Sequence, residues 1–205
     1  MKLIIENQVF GPIISYVHLV KATDVEIEQY ETYQKMSYRN RFQLLSPHGV
    51  RNLSVPLVGG RDQKGRLTAE IEIDYKGRWL AEQWRSFESW YNRSPFFFHY
   101  GQEVKTIFEE RHLLLSDLAM ASQRWVLRQL GWNGLLGLTS SWKEDYQQDA
   151  KTEDLRNKFL PRNRQTFALR PYQQVFDLPF ESNLSILDLL FNMGPQARSY
   201  LLNQI

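Results

Sequence analysis

The chain has 205 residues, a net charge of +2, 42% hydrophobic and 23% charged residues, and no cysteine. A chain of this length buries roughly 70% of its unfolded surface and needs no covalent staples, while so small a net charge excludes a domain devoted to coating nucleic acid. The missing cysteines remove disulfides, thiolate metal sites and cysteine nucleophiles together.

The N-terminal apolar residues are interrupted by Glu6, Asn7 and Gln8. No leader-like run follows, and nowhere is there an uncharged apolar stretch long enough to span a bilayer. A cytoplasmic chain without a membrane span is the expectation. Aromatic residues make up 14%, with six Trp, a surplus that serves either a core or a binding surface.

In chain order, Leu3–Ile5 reads as a short strand, and Gly11-Pro12 punctuates before a helix carrying Ile14, Val17, His18 and Lys21 to about Ala22. Val25–Glu28 alternates as a second strand, so the opening is β-α-β with parallel strands. Phe42–Leu45 and Val50–Val58 predict a hairpin turned by Ser46-Pro47-His48-Gly49, and Ala69–Asp74 predicts another short strand. Leu80, Trp84, Phe87 and Tyr91 form a helical stripe. A second helix carries Val104, Ile107 and Phe108, and a third carries Leu114, Leu118, Ala121 and Trp125 and closes at Gly131. Leu135–Thr139 reads as the last strand.

Periodicity fades from Lys143 to Arg170, which predicts a long functional or mobile loop. Its Arg156–Arg170 part holds five basic residues and no acidic one. Ser185 with Asp188 reads as a capping box opening a C-terminal helix that Gly194-Pro195 ends. The expected class is therefore α/β: an N-terminal β-α-β with a small mixed sheet, then a mostly helical middle and C-terminal part. One domain, 1–205, is expected, sheet-rich over 1–75, helical over 76–132, loop-rich and helical over 133–205.

The segment Gln29–Arg41, QYETYQKMSYRNR, is the most distinctive. It holds three tyrosines and +3 against −1 in formal charge, directly after a predicted strand. Ligands of open α/β sheets bind at the carboxyl ends of strands. Arg forks phosphate, Asn and Gln pair donors with acceptors, and Tyr stacks. Tyr30, Tyr33, Lys35, Arg39, Asn40 and Arg41 are thus candidate ligand contacts, against the alternative of tyrosines packing on the sheet in a solvated connection. Arg61 in the GGRDQKG loop is a looser anion candidate, since no phosphate-loop spacing is present. Lys158, Arg162, Arg164 and Arg170 are candidates for a lid over an anion or for an exposed charged loop.

Glu28, His18 and Asp62 are the candidate proton-transfer groups. His18, His48, His99 and His112 lack ligand spacing, so neither metal nor cofactor is expected, and no nucleophile elbow appears. Asp188 reads simply as completing a helix cap.

The runs QVFGPIISYVHLVKATDVEIEQYETYQKMSYRNR, LSVPLVGGRDQK, WRSFESWYNRSPFFFHY and NLSILDLLFNMGP resemble the WbqC-like protein family in its Bacteroidetes form. The family's Gln and Pro fall at Gln8 and Pro12, its Asn-Arg pair at Asn40-Arg41, its Val-Pro at Val55-Pro56, and its Asn-Leu-Ser at Asn183–Ser185. Residues 143–170 carry none of these motifs. The family is associated with O-antigen and surface-polysaccharide gene clusters. The resemblance therefore implies a transferase acting on a nucleotide-activated or phosphorylated sugar, adds Gln8 to the candidate ligand contacts, and brings no residue roles.

The opening is also similar to that of HIGH-type nucleotidylyltransferases. However, Phe10–Ile13 lacks the His-x-Gly-His of that group, and no Lys-Met-Ser-Lys-Ser loop is present, so the likeness does not extend to the residues of nucleotide transfer. A non-catalytic interaction module, its aromatics forming a protein interface and the chain a homo-oligomer, is the competing expectation.

Overall fold

The structure is a computed structural model that describes residues 1–60, 62, 63, 65–146 and 151–204. Its architecture is α/β, with a four-stranded parallel sheet, a separate antiparallel hairpin and six α-helices among the described residues.

β1 (Lys2–Glu6) and β2 (Asp24–Glu28) are joined through α1 (Ile13–Leu19) and pair in parallel from Lys2 opposite Asp24 to Glu6 opposite Glu28. Leu3 to Ile5 are all buried, the continuous apolar run of a strand covered on both faces. β5 (Leu135–Leu138) adds beside β2, and β6 (Thr152–Asp154) beside β1, giving the order β5-β2-β1-β6. The carboxyl ends of all four strands therefore lie along one edge.

β3 (Arg41–Ser46) and β4 (Gly49–Ser54) form the expected hairpin, with Ser46 paired to Gly49 across Pro47-His48. Gly49 sits at φ +91°, which a side chain would strain. β4 stops at Ser54, short of the expected Val58; Pro56, lacking an N–H, ends the ladder there.

The helices of the middle are α2 (Trp79–Tyr91), α3 (Phe97–Glu109) and α4 (Leu115–Gln129), followed by α5 (Ile186–Met193) and α6 (Ala197–Leu202). The buried face of α2 is Trp79, Gln83, Phe87 and Tyr91, so Leu80 and Trp84 of the predicted stripe lie at its margin, half-buried. Gly131 at φ +60° ends α4 as expected. Most of the aromatic surplus enters one core. Phe10 packs against Phe42, Phe108 and Trp125, while Phe87 packs against Phe42, Phe108 and Phe191. Edge-to-face and tilted pairs of this kind add to the apolar area they bury. Phe10-Gly11-Pro12-Ile13, where the nucleotidylyltransferase likeness looks for histidines, is wholly inside.

Three expectations are corrected. Ala69–Asp74 is not a strand but the end of a 3-10 turn (Thr68–Glu70) and an extended piece with single-residue bridges, Leu57 to Ile73 and Glu72 to Leu114. Ile71 and Ile73 are buried as their alternation implies, but flanking chain on either side is too short to build a ladder.

Residues 143–170 are not a structureless loop. Within them β6 is held to β1 through Lys2 N–H to Lys151 O and Leu155 N–H to Ile4 O, and a 3-10 helix spans Pro161–Thr166. Thr-Glu-Asp has no apolar alternation to announce a strand; the open backbone edge of β1 recruits it.

Asp188 does not complete a cap. Ser185 Oγ alone accepts from Leu187 N–H, and the fully buried Asp188 carboxylate accepts from the Tyr91 hydroxyl at 2.6 Å, the Tyr172 hydroxyl at 2.5 Å and Gln174 Nε2 at 3.2 Å.

Candidate functional site

Four elements deliver polar groups to the carboxyl edge of the sheet. Glu6 ends β1, Glu28 ends β2, Thr139 follows β5, and Asp154 ends β6. Glu6 and Glu28 are almost fully buried, and a buried carboxylate persists only when its lone pairs are filled. Glu6 Oε1 accepts from Gln8 Nε2 at 2.7 Å and Oε2 from Asn157 N–H at 2.8 Å. Glu28 Oε1 accepts from Tyr30 N–H and the Thr139 hydroxyl, and Oε2 from the Tyr146 hydroxyl at 2.8 Å, with Arg156 Nη1 3.6 Å away. Burial and the Glu28 carboxylate push the Tyr146 hydroxyl up to about 12, so it stays a donor. These carboxylates organise the edge.

The Gln29–Arg41 segment leaves this edge and is tied down along its length. Thr68 N–H bonds Glu31 O, and Tyr33 N–H bonds Arg66 O. Gln29 Nε2 donates to Thr139 O at 3.0 Å. Arg39 turns inward with no exposed surface; its Nε and Nη2 reach Glu31 Oε1 at 2.9 and 2.6 Å, and Nη2 also reaches Asn157 Oδ1 at 2.8 Å. Burial, with smaller repulsion from Glu6 and Glu28, pushes the Glu31 carboxyl up to about 7 against the opposing pull of Arg39.

On either side of the segment lies a cleft, and Tyr33 lines both. The first, about 810 Å³, is lined by Lys35, Asn40 and Arg41 with Val55, Pro56 and Gly60. Asn40 is oriented from two sides, accepting from the Tyr33 hydroxyl at 2.8 Å and donating to Val55 O at 2.9 Å. Arg41 Nε is buried without a hydrogen-bond partner among the described residues.

The second cleft, about 710 Å³, lies between Tyr30 and Trp142. Glu31, Gln34, Glu144, Asp154, Arg156 and Asn157 complete its wall. Arg156 is clamped by Asp154, with Nη2 to Oδ2 at 2.6 Å, and its guanidinium lies 4.6 Å from the Tyr146 ring.

Of the residues picked out in the sequence, Tyr33, Lys35, Asn40 and Arg41 meet in the first cleft, and Tyr30 enters the second. Arg39 faces neither and works from within. Gln8 is buried, its Oε1 accepting from Ser15 Oγ, and it lies so close to Gly11 that a Cβ there would fall 2.1 Å from Gln8 Oε1. It supports Glu6 and lines neither cleft. Glu28 is likewise saturated by partners.

His18 stands away from both clefts, 3.3 Å from Glu153 and beside the Phe159 ring. Asp62 is exposed on its loop, and Arg61 and Lys64 lie outside the described residues. The basic run does not act as a unit. Arg164 is buried on Glu181, at 2.7 Å, and on Ser182 O, while Lys158, Arg162 and Arg170 are exposed.

Sequence reasoning missed Glu31, Trp142, Asp154, Arg156 and Asn157. Glu31 stood inside the flagged segment, three residues after Glu28, but counted there only as a charge.

Residues 8–162 and 162–200 match the model of the WbqC-like protein family. The chain belongs to the WbqC-like protein family. The match runs through residues 143–162, so β6 and the Asp154–Asn157 wall are part of the family's extent and not an appendage to it. This WbqC-like chain is also similar to Rv1507c of Mycobacterium tuberculosis (strain ATCC 25618 / H37Rv), which is described as an uncharacterized protein. The two are 30% identical, over 82% of this chain and 83% of that protein. No solved structure matches the chain.

Proposed function

We propose that this WbqC-like chain is a transferase acting on a nucleotide-activated or phosphorylated sugar in surface-polysaccharide synthesis, and that the phosphate group sits in the cleft of Lys35, Asn40 and Arg41. The observation that carries this reading is the convergence of two cations, Lys35 and Arg41, with the amide of Asn40 on one cleft. The guanidinium fork matches phosphate in geometry as well as in charge.

Thermal-shift titration with nucleotides and nucleotide-sugars tests the reading. A ligand at a hundred times its Kd stabilises the chain by about 2.7 kcal/mol. Arg41→Ala should weaken binding ten- to hundredfold, since a hydrogen bond to a charged group is worth about 1.5–3 kcal/mol, and should leave the melting temperature of the free chain nearly unchanged. Arg39→Ala should instead lower that temperature. A flat response across the panel removes the transferase reading.

A second reading, an interaction module that self-associates, is favoured by one feature. Among the described residues β5 is an edge strand with one sheet neighbour, and it exposes Leu135 at 72% and Leu138 at 48%. Open apolar edges pair with other chains unless protected.

A further inference from the structure

The second cleft differs from the first in charge and in shape. Its wall sets Glu31, Glu144 and Asp154 against Arg156 alone, and Arg156 is already committed to Asp154. A phosphate is repelled there. Two aromatic side chains stand at its margins with much of their surface bare, Trp142 at 53% and Tyr30 at 39%, although most of the other aromatics of the chain pack into or against the core.

Glu31 adds a second, independent observation. Its side chain is more than nine-tenths buried and lines the cleft. Both Arg39 bonds end on Oε1, and Oε2 takes no hydrogen bond among the described residues. It is not sealed inside the protein either, so it is the oxygen left to the cleft. The groups that bear on it are Arg39 on its own segment, Glu6 and Glu28 at the ends of β1 and β2, Asp154 and Arg156 at the end of β6, and Glu144 across the cleft.

An aromatic face suits the apolar face of a ring, and a free carboxylate oxygen needs an N–H or O–H. A saturated, hydroxylated ring without negative charge meets both demands at once. We propose that the Tyr30–Trp142 cleft is a sugar-ring subsite, with the ring against the two aromatic side chains and one hydroxyl donating to Glu31 Oε2. The inference rests on the transferase reading only in naming this ring the acceptor, next to the phosphate cleft across Tyr33. Binding of the ring is a separate property and is measured without nucleotide.

The test is saturation-transfer NMR on the full chain with methyl glucopyranoside, methyl galactopyranoside, methyl N-acetylglucosaminide and methyl glucosaminide. Transfer to ring protons is expected, falling at least fivefold in Trp142→Ala, whose exposed side chain can be removed without unfolding the chain. Glu31→Gln, which keeps an acceptor for Arg39, should weaken binding severalfold. In the unsubstituted chain binding should tighten as pH rises through about 7, because an ionised acceptor makes the stronger bond, and this dependence should vanish in Glu31→Gln.

No transfer to any glycoside overturns the subsite, and so does transfer that is unchanged in both variants. Transfer that depends on Trp142 but not on pH or Glu31 overturns the role given to Glu31. Preference for the glucosaminide alone replaces the hydroxyl by an ammonium and overturns the neutral ring. Loss of nucleotide binding with glycoside binding intact condemns the phosphate cleft and leaves this one standing.

Discussion

At the scale of single residues, Glu31 and Arg39 show how one segment divides into working and supporting parts. Both are charged and both are nearly or wholly buried, yet one opens on a cleft and the other does not. The Glu31 carboxyl is raised from an ordinary 4.5 to about 7 by burial, so folding favours its protonated form. Its contribution to stability is fully present below about pH 4.5 and is lost as pH rises through about 7. Urea denaturation across pH 4–8 should show the unsubstituted chain losing stability over that window relative to Glu31→Gln, whose difference curve is flat outside it. Parallel curves for the two chains would mean that Glu31 ionises as it does in water.

At the scale of elements, the junction that ties α2, α5 and β3 together is polar and buried. Asp188 on α5 gathers Tyr91 of α2 and Tyr172 of the segment before α5, and the Tyr91 oxygen in turn accepts from Leu45 N–H on β3 at 3.0 Å. Burial raises the Asp188 carboxyl, and burial with the nearby carboxylate raises both tyrosines, which therefore remain donors. Asp188→Ala leaves the Tyr91 and Tyr172 hydroxyls without their acceptor, while Gln174 Nε2 keeps Glu181 O at 3.0 Å, and each buried orphan costs about 1–3 kcal/mol. The variant should lose more than about 2 kcal/mol by urea denaturation. Tyr172→Phe, which removes one donor and leaves Asp188 with others, should lose less than half of that.

At the scale of the whole molecule, the sheet is assembled from distant parts of the chain. β1 and β2 come from the first 28 residues, β5 and β6 from residues 135–154, and α5 and α6 return to pack on α1. The hydrophobic cluster runs from Leu3 to Leu201 without a division. A fragment of residues 1–132 lacks both outer strands and the C-terminal helices. It should show no cooperative urea transition by circular dichroism and should bind a hydrophobic dye. A cooperative transition in that fragment would argue for two separately folding parts.

Local pattern was enough for the sequence alone to determine β1, α1, β2, the hairpin and the three middle helices, because each carries either a short apolar run bounded by breakers, as β1 does, or apolar residues at a period that one element imposes. It also marked the Gln29–Arg41 segment, whose composition differs from everything around it. Only the tertiary structure decided how that segment is used. Burial separates Arg39 from Arg41 although they stand two residues apart, and it converts Glu31 from a stray charge into the free carboxylate of a cleft. β6 and the wall of Asp154, Arg156 and Asn157 were hidden for a related reason. A three-residue edge strand is held by backbone bonds to β1, and those bonds leave no pattern in side chains.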